Sequence, residues 1–350
     1  MKALSIRLND SEFIFEDIDR PQIGANPYSP DDVIVRVASC GICGTDLMFY
    51  RKGFPKGVLD AEKVGLGHEF SGTVMETGPG VRDLKPGVRV VGEVTTNPCG
   101  ECIFCRAGNN HFCKQAGAFM LHQGAFSAYL PMPARNLHVL PHTVSLEAGA
   151  LSQPFSLAVN ALKFVGKLQP RENIVIMGPG PIGLLMVVLA RVYGAENIIV
   201  TGLEKDDRRL AHARTVGADH TIMIDKQNVH ENVMDITGGA GADIVVEIAG
   251  SADAARSCFS LVRTCGRIVL VGAGYPPLEV DLAGQVMMRQ LSVLGCRAEP
   301  TPCWLEAMRV LASGKVTLEP LVSHVLPLER WEEGFTLAMG GDALKVLLTP

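Results

Sequence analysis

The sequence has no long apolar segment. Its longest apolar stretch, residues 182–190, is far shorter than the about 20 residues that cross a bilayer as a helix. The first residues, MKALSIRLNDSEF, lack the apolar run and the small-residue cleavage site of a secretory signal. We therefore expect a cytoplasmic protein that does not act at a membrane.

An excess of positive charge is also missing. The chain has 32 Lys and Arg against 37 Asp and Glu, which gives a formal net charge of -5. Binding to nucleic acid or to an anionic membrane favours a basic patch, so we expect neither as a partner. With 350 residues, the chain is longer than one hydrophobic core usually supports, and two domains are expected.

Cysteine is plentiful, with ten residues, and four of them form a cluster in the sequence. Cys99, Cys102, Cys105 and Cys113 follow the pattern C-x2-C-x2-C-x7-C. In a reducing compartment such a cluster indicates a metal site first, and four thiolates can close tetrahedrally on Zn²⁺. The bacterial iron–sulfur pattern has a proline after its last cysteine, whereas Lys114 follows here. The cluster therefore predicts a structural zinc site.

The two halves of the chain differ in their local patterns. Up to about residue 155, short β-like runs such as 33–37, 72–76 and 88–94 alternate with Gly- and Pro-rich turns. This pattern predicts an irregular β-barrel or sandwich. After about residue 170, strand-like runs alternate with helical segments. That alternation predicts an α/β fold with a doubly wound parallel sheet.

A glycine-rich turn connects the first of these later strands to its helix. Gly178, Gly180 and Gly183 form a G-x-G-x-x-G motif, and the helix opens with Pro181 and Ile182. In this context the glycines allow a tight turn, a close approach of the backbone to a pyrophosphate, and close packing of helix on sheet. The helix N-terminus offers N–H groups to the phosphates. The motif predicts binding of a dinucleotide.

The position that usually determines specificity for NAD or NADP has an unusual residue in this chain. An acidic residue about 20 positions after the glycine motif usually binds the ribose of NAD. The strand end expected there is Gly202, which has no carboxylate. The following loop contains Glu204, Asp206 and Asp207, any of which could reach the ribose. It also contains Arg208 and Arg209, which could bind a 2′-phosphate. The sequence leaves NAD and NADP open.

Two further motifs contain metal-binding residue types. Cys43 is followed by Thr45 and Asp46, and His68 is followed by Glu69. A cysteine and a distant histidine alone are more often structural. Together with the four-cysteine cluster and the glycine turn, in this order, they make the chain resemble the zinc-containing medium-chain dehydrogenase/reductase superfamily. The resemblance runs essentially end to end and is nearest to the sorbitol and L-threonine 3-dehydrogenase branches.

The resemblance implies how the chain is organised. Residues 1–155, with 296–350 returning to them, would form a GroES-like irregular β-barrel catalytic domain. Residues 156–295 would form a Rossmann dinucleotide-binding domain. The resemblance also implies two zinc ions per chain, one catalytic and one structural, NAD or NADP as the second cofactor, and a homodimer or homotetramer.

The implied reaction is hydride transfer between a secondary alcohol or polyol and NAD(P). Cys43 and His68 would bind the catalytic zinc. Glu69 would be a further ligand or an adjacent carboxylate, and Thr45 would place a hydroxyl beside the alcohol oxygen. Two alternatives stay open, namely oxidation of an amino alcohol as in L-threonine 3-dehydrogenase and a non-catalytic protein that binds zinc and nucleotide.

Two positions depart from the family pattern. Gln153 stands where many relatives have glutamate, and an amide is a poorer zinc ligand, so the sequence does not decide whether Gln153 or Glu69 completes the zinc shell. Met48 stands where the family has a relay histidine. The last proton step must therefore use another group.

Overall fold

The computed structural model describes residues 1–24, 29–55, 59, 61–121, 123–274 and 276–350. These residues divide into two compact units. The first comprises Met1–Gln153 and Glu299–Pro350, and the second comprises Pro154–Ala298. The first unit is therefore built from two separate segments of the chain.

The described residues contain strands and helices that we number in chain order. The strands are β1 (Lys2–Arg7), β2 (Phe13–Asp17), β3 (Asp32–Gly41), β4 (Lys63–Gly65), β5 (Glu69–Thr77), β6 (Arg89–Gly92), β7 (Thr95–Thr96), β8 (Gly117–Ala118), β9 (Tyr129–Pro133), β10 (Leu137–Val139), β11 (Ile174–Met177), β12 (Ile198–Gly202), β13 (His220–Met223), β14 (Ala242–Glu247), β15 (Val262–Leu270), β16 (Ser292–Gly295), β17 (Val322–Pro327) and β18 (Lys345–Thr349). The helices are α1 (Gly44–Lys52), α2 (Ile103–Arg106), α3 (Leu146–Gly149), α4 (Ser152–Val159), α5 (Pro181–Val192), α6 (Asp207–Thr215), α7 (Val229–Ile236), α8 (Ala252–Leu261), α9 (Thr301–Ala312) and α10 (Trp331–Met339). Two segments are π-helical, Asn160–Val165 and Leu282–Met287.

The first unit is dominated by a sheet of seven strands. Its order is β10-β6-β5-β3-β18-β17, and β9 also pairs with β3. Smaller sheets, β2-β1-β4 and β7-β8, complete the β-structure of the described residues in this unit. The inward faces of these strands enclose a core that includes Val35, Phe70, Leu130 and Leu348, all fully or almost fully buried. Burial of this apolar surface is what holds many short strands together.

The pairing of three strands brings distant segments of the sequence together. β3 and β5 are antiparallel, with Gly41 opposite Glu69. β18 is antiparallel to β3 on its other side, with Leu347 opposite Gly41. The end of β3, the start of β5 and the last strand of the chain therefore meet at one place. The candidate active site is built there.

The second unit contains a six-stranded sheet in which every pair is parallel. The strand order is β13-β12-β11-β14-β15-β16. Residues of β11 and β12 are buried throughout, as expected of strands covered on both faces. In sheets of this order, ligands bind at the carboxyl ends of the strands where the order reverses, which here lies between β11 and β14. The glycine-rich turn follows β11 directly.

The predicted strands and helices of the second unit are present, with some shifts at their ends. The helix after the glycine turn begins at Pro181, in agreement with the preference for proline at the first helical position. The apolar run that starts at residue 268 forms the end of the longer β15. Within the described residues, no helix is long and apolar enough to cross a membrane.

Candidate active site

Cys43 is held at the start of a helix. It follows β3 by two residues and is the N-cap of α1, with its backbone N–H donating to Asp46 Oδ2 at 2.9 Å. The helix N-terminus favours a negatively charged sulfur. Asp46 is almost fully buried, and burial raises its pKa, although the charge of His68 opposes this. Asp46 thus fixes the backbone that carries the Cys43 thiol.

His68 stands just before β5 and depends on the glycine that precedes it. Gly67 has a φ of +82°, and a side chain there would come within 2.7 Å of the ring of Phe126. The buried His68 ring places Nδ1 4.0 Å from Asp46 Oδ1. Burial lowers the pKa of His68, but nearby negative charge, that of Cys43 first, outweighs burial and raises the pKa to about 10. The site therefore favours a positive charge at this position.

Glu69 and Lys345 form an ion pair in the interior. The Lys345 ammonium contacts Glu69 Oε2 and donates to the Ile42 carbonyl at 2.9 Å. Only 3% of Lys345 is exposed. Burial lowers the pKa of Lys345, but the charges of Glu69 and Cys43 raise it overall, so the lysine stays charged. Lys345 was not singled out in the sequence, although its place directly before the apolar run Val346–Leu348 was a usable signal.

The ligand atoms of Cys43, His68 and Glu69 lie within 4.8 Å of one another. One thiol, one imidazole and one carboxylate are donors that zinc accepts, and three protein ligands leave one position open, as in catalytic sites. His68 Nδ1 is buried and has no hydrogen-bond partner among the described residues. The chemistry of the donor set and the unused ring nitrogen fit a bound metal ion.

Thr45 and Met48 lie on the exposed side of α1. The Thr45 hydroxyl is in the first turn of the helix, two residues after Cys43. Its exposure leaves it accessible to a substrate. The thioether of Met48 does not titrate, so Met48 cannot serve as the proton relay that a histidine would provide at this position.

Gln153 and Glu299 are hydrogen-bonded to each other and buried. Burial raises the pKa of Glu299 to about 7, in spite of the hydrogen bond from Gln153 and the charge of His68, both of which lower it. The charges of Glu93 and Glu69 add to the rise. Sequence reasoning missed Glu299, because no motif surrounds it and its partner is far away in the chain.

The four cysteines of the second cluster also come together. Ligand sulfurs of Cys99, Cys102, Cys105 and Cys113 lie within 4.8 Å of one another. The Cys102 N–H donates to Cys99 Sγ at 3.3 Å, and the Cys99 N–H donates to Cys113 Sγ at 3.4 Å. This last bond is the main reason why the pKa of Cys113 is lowered to about 6. Backbone donors that favour thiolates, in a group of four sulfurs, fit a tetrahedral metal site.

The glycine-rich turn has the shape that a pyrophosphate requires. A side chain at Gly183 would lie 2.0 Å from the Gly178 carbonyl oxygen, so only glycine allows the helix to start this close to the strand. At Gly180 a side chain would meet no other atom within 4 Å. The space beside Gly180 is therefore open, and α5 begins there with Pro181 and Ile182 in its first turn.

The loop after β12 is held by backbone hydrogen bonds to two carboxylates. β12 ends at Gly202, as predicted. Asp206 Oδ2 accepts the Leu203 N–H at 3.0 Å, and Asp225 accepts the Glu204 N–H at 3.0 Å. The side chain of Glu204 pairs with Lys226 at 2.9 Å. Arg208 and Arg209 follow at the start of α6. Asp225 was not considered in the sequence, since it lies two residues after the next strand, β13.

A closed four-thiol site, an open site of three donors and a dinucleotide turn on a parallel sheet are the features of a zinc-dependent, nicotinamide-using dehydrogenase. Comparison with known proteins supports this class. Residues 29–142 match the family model of the alcohol dehydrogenase GroES-like domain, and residues 181–313 match that of zinc-binding dehydrogenases.

The chain is similar to characterised relatives along most of its length. It is 34% identical over 325 residues to D-arabitol-phosphate dehydrogenase of Enterococcus avium, covering 92% of this chain and 91% of that protein. It is 33% identical over 320 residues to sorbitol dehydrogenase of Halalkalibacterium halodurans, covering 91% of each. A zinc-binding dehydrogenase structure from Sinorhizobium meliloti 1021, bound to NADP, has a TM-score of 0.86 at 28% identity and covers all of both chains.

The chain belongs to the zinc-containing medium-chain dehydrogenase/reductase family. This confirms the resemblance and the fold expected from it, a Rossmann sheet together with a GroES-like domain. The protein is an NAD(P)-dependent zinc oxidoreductase that acts on alcohols or polyols, with two zinc ions per chain.

Proposed function

We propose that Cys43, His68 and Glu69 bind the catalytic zinc, and that the chain uses it to oxidise a secondary alcohol or polyol with NAD(P)⁺. The observation that carries this proposal is the convergence of the three donors within 4.8 Å, separate from the four-cysteine cluster. Three donors suit an ion with one exchangeable position, whereas four thiolates suit a closed structural site. Cys99, Cys102, Cys105 and Cys113 would bind the structural zinc.

Zinc bound between Cys43, His68 and Glu69 supplies a Lewis acid that lowers the pKa of an alcohol hydroxyl. The protein groups around it have separate tasks. Asp46 holds the backbone of Cys43 and faces His68, so the two donors keep their relative position. Lys345 balances the charge of Glu69. Thr45, exposed in the first turn of α1, would relay the proton of the alcohol, passing its own hydroxyl proton on to the cofactor ribose, to water or to another group.

The cofactor would bind to the second unit. The open space beside Gly180 and the free N–H groups at the start of α5 suit a pyrophosphate, with Gly178, Pro181 and Ile182 forming the turn. Residues 156–295 would then act as the dinucleotide-binding domain. Residues 1–155, together with 296–350, would act as the catalytic domain.

For the choice of cofactor, we propose weak discrimination between NAD and NADP. The carboxylates of Asp206 and Asp225 already accept backbone N–H groups, and Glu204 is paired with Lys226. Gly202 offers no carboxylate to repel a 2′-phosphate, and Arg208 or Arg209 would be its partner. The NADP-bound structure of the similar Sinorhizobium protein is consistent with this choice.

We propose that the protein forms a homodimer or homotetramer through the edge of the parallel sheet. β16 stands at the end of the strand order, and its Val293 is exposed. Next to it in sequence, Met287 and Met288 are 65% and 74% exposed. An exposed apolar strand edge is a template for pairing with a second copy. Light scattering tests this: the wild type should be oligomeric, Val293→Lys should weaken the assembly, and a monomeric wild type would contradict the proposal.

We further propose a cytoplasmic location. All ten cysteines lie in the described part of the chain, and none forms a disulfide there. Nine of the ten thiols are buried or half-buried. Free thiols in this number suit a reducing compartment. Fractionation of the cells that produce the protein would test this, and enzyme found outside the cytoplasm would contradict it.

A substrate screen tests the proposed reaction. Purified zinc-loaded protein is incubated with a panel of secondary alcohols, polyols, polyol phosphates and amino alcohols, each with NAD⁺ and with NADP⁺, while the appearance of reduced nicotinamide is followed. We expect turnover with at least one secondary alcohol or polyol, and its loss in His68→Ala. Turnover confined to amino alcohols would favour the threonine-like alternative. No turnover by the zinc-loaded protein would contradict the proposal.

A further inference from the structure

Glu247 is a buried carboxylate that the proposed mechanism does not use. It is the last residue of β14, at the carboxyl edge of the parallel sheet, and it is fully buried. Its Oε1 accepts the Gly250 N–H at 2.8 Å. Its Oε2 is buried and has no hydrogen-bond partner among the described residues. Burying a carboxylate is costly, so the contacts of Glu247 indicate what the protein gains from it.

Glu247 joins the loop after β14 (residues 248–251) to the loop after β15 (residues 271–274). Its side chain accepts the Gly250 N–H of the first loop. Its backbone carbonyl accepts the N–H groups of Val271 and Gly272 in the second loop, at 2.9 and 3.0 Å. The carboxylate also fills the space that a side chain at Gly272 would need, because a Cβ there would lie 2.4 Å from Oε2. One residue therefore fixes both loops.

The two loops pack against each other and against the glycine-rich turn. A side chain at Gly250, where φ is +69°, would lie 2.8 Å from the Ala273 carbonyl oxygen. A side chain at Gly178 would lie 3.2 Å from Cβ of Ala249. The turn after β11, the loop after β14 and the loop after β15 thus lie side by side, in the order of their strands. Ala249 and Ala273 are exposed there, whereas Glu247 is buried.

The strand order indicates which half of a dinucleotide would meet these loops. β12 lies on one side of β11, and β14 lies on the other. In dinucleotide-binding sheets the pyrophosphate binds at the turn after the first strand, and the residue at the end of the next strand, here Gly202, faces the adenosine ribose. The nicotinamide half would therefore extend to the opposite side, over the ends of β14 and β15. The loops that Glu247 joins lie at those ends.

We infer that Glu247 is a positioning residue for the nicotinamide half of the cofactor. Buried below the surface, it holds the loops after β14 and β15 in the arrangement that this half of the dinucleotide contacts. The inference rests on the proposed cofactor site at the glycine-rich turn. Without the carboxylate the Gly250 N–H would lose its acceptor and the space beside Gly272 would be empty, so the two loops would no longer be fixed relative to each other.

The first variant is Glu247→Leu, which keeps a side chain of similar size and removes the acceptor. Titrations measure the Kd for NADH, by its fluorescence, and for ADP, which lacks the nicotinamide and its ribose, by calorimetry. NADPH and 2′-phospho-ADP replace them if the wild type binds NADPH more tightly. We expect the Kd for NADH to rise by about tenfold, the effect of losing one hydrogen bond to a buried group, and the Kd for ADP to stay unchanged. Glu247→Gln keeps an acceptor oxygen and should retain most of the affinity for NADH.

Asp243→Leu is the control that separates positioning from general damage. Asp243 lies at the other end of β14, also accepts a backbone N–H, that of Asn173 at 2.7 Å, and pairs with Arg263 at 2.6 Å. Its removal should lower the melting temperature without changing the ratio of the Kd values for NADH and ADP. Glu247→Leu should change that ratio. If Glu247 were only structural, both variants would lower the melting temperature and leave the ratio unchanged.

Hydrogen exchange in the wild type tests the inference without a variant, in case Glu247→Leu does not fold. Binding of NADH should slow amide exchange in the loops after β14 and β15, and binding of ADP should not. An unchanged Kd for NADH in Glu247→Leu, equal changes in the Kd values for NADH and ADP, or equal protection of the two loops by both ligands would overturn the inference. A wild type that binds neither NADH nor NADPH would instead overturn the proposed function.

Discussion

Lys345 and Glu69 form a buried ion pair although they lie in different sequence segments of the first unit. The pairing of β18 with β3, and of β3 with β5, brings the two side chains together. Lys345 also donates to the Ile42 carbonyl, next to Cys43 in the chain. One lysine therefore ties the last strand both to Glu69 and to the segment that carries Cys43.

Lys345→Met should be strongly destabilising. Removing one partner of a buried ion pair leaves the other charge uncompensated, which typically costs about 3–5 kcal/mol. Urea unfolding at neutral pH measures the free energy of unfolding for wild type, Lys345→Met, Glu69→Gln and the double variant. The double variant should recover part of the loss, because no unpaired charge remains. A loss below about 1 kcal/mol in Lys345→Met would show that water or another group replaces the lysine.

Cys102→Ser should damage stability before activity. Cys102 belongs to the four-thiol cluster, and losing a ligand of a structural metal removes free energy of folding. We expect the free energy of unfolding to fall by more than about 2 kcal/mol, since loss of a metal site is among the most damaging single changes. Cys265→Ser, at an exposed cysteine outside the cluster, is the control. A Cys102→Ser protein that is fully stable but inactive would reverse the assignment of the two sites.

Glu247 should make stability depend on pH. This buried carboxyl at the end of β14 has a pKa raised by burial above its ordinary value of 4.5, although the Gly250 N–H and other backbone donors lower it. The folded state therefore holds the proton more tightly than the unfolded chain. The stabilisation is present below the ordinary pKa and is lost as pH rises through the folded pKa.

The test compares wild type with Glu247→Gln, which has no proton to lose. Free energies of unfolding are measured by urea from about pH 5 to pH 8. The wild type should lose stability relative to Glu247→Gln as the pH rises. Glu196→Gln, at an exposed carboxylate, serves as the control and should follow the wild type. If the free energy of unfolding changed with pH in the same way in wild type and Glu247→Gln, the raised pKa of Glu247 would be contradicted.

Gly202→Asp should move cofactor preference toward NAD. The new carboxylate would repel a 2′-phosphate and accept the ribose hydroxyls, an effect of about 1.5–3 kcal/mol for a charged hydrogen bond. The site is tight, because a side chain there would lie 3.0 Å from Pro179 Cγ and 3.3 Å from Asp206 Cβ. Gly202→Ala therefore serves as the steric control. The ratio of kcat/KM for NAD⁺ and NADP⁺ is measured in wild type and in both variants.

Arg208→Ala completes the cofactor test. If Arg208 binds the 2′-phosphate, its removal should lower kcat/KM for NADP⁺ and leave kcat/KM for NAD⁺ unchanged. A wild type that strongly prefers NAD⁺, is insensitive to Arg208→Ala and loses its preference in Glu204→Gln would support the rival account. In that account Glu204, Asp206 or Asp207 replaces the missing carboxylate. Glu204 would do so in spite of its pairing with Lys226.

Much of the fold was predictable from local sequence patterns. The four-cysteine cluster and the glycine turn are short motifs whose members are close in the chain, so their geometry follows from local structure. Buried parallel strands such as β11 and β12 consist mostly of apolar residues, so they can be recognised in the sequence as well. The family resemblance was needed to identify Cys43 and His68 as ligands of one metal ion, because they are too far apart in the sequence to form a local motif.

The contacts that the sequence did not predict depend on the pairing register of strands from distant segments of the chain. The contact of Lys345 with Glu69 requires β18 to pair with β3 at one register, and the apolar pattern of β18 does not specify which partner it takes. The bond between Gln153 and Glu299 joins the two segments of the first unit. The first half of β15 has no clear strand pattern in the sequence, because polar residues such as Arg263 interrupt its apolar residues.

The central claim is that Cys43, His68 and Glu69 hold one of the two zinc ions and that this ion is the catalytic one. The zinc content per folded chain of wild type and Cys43→Ser, measured beside alcohol oxidation and melting temperature, tests it most directly. The account predicts two zinc ions in the wild type, and one in a Cys43→Ser protein that is folded and inactive. Cys43→Ser protein that keeps two zinc ions, or stays active with one, would contradict it.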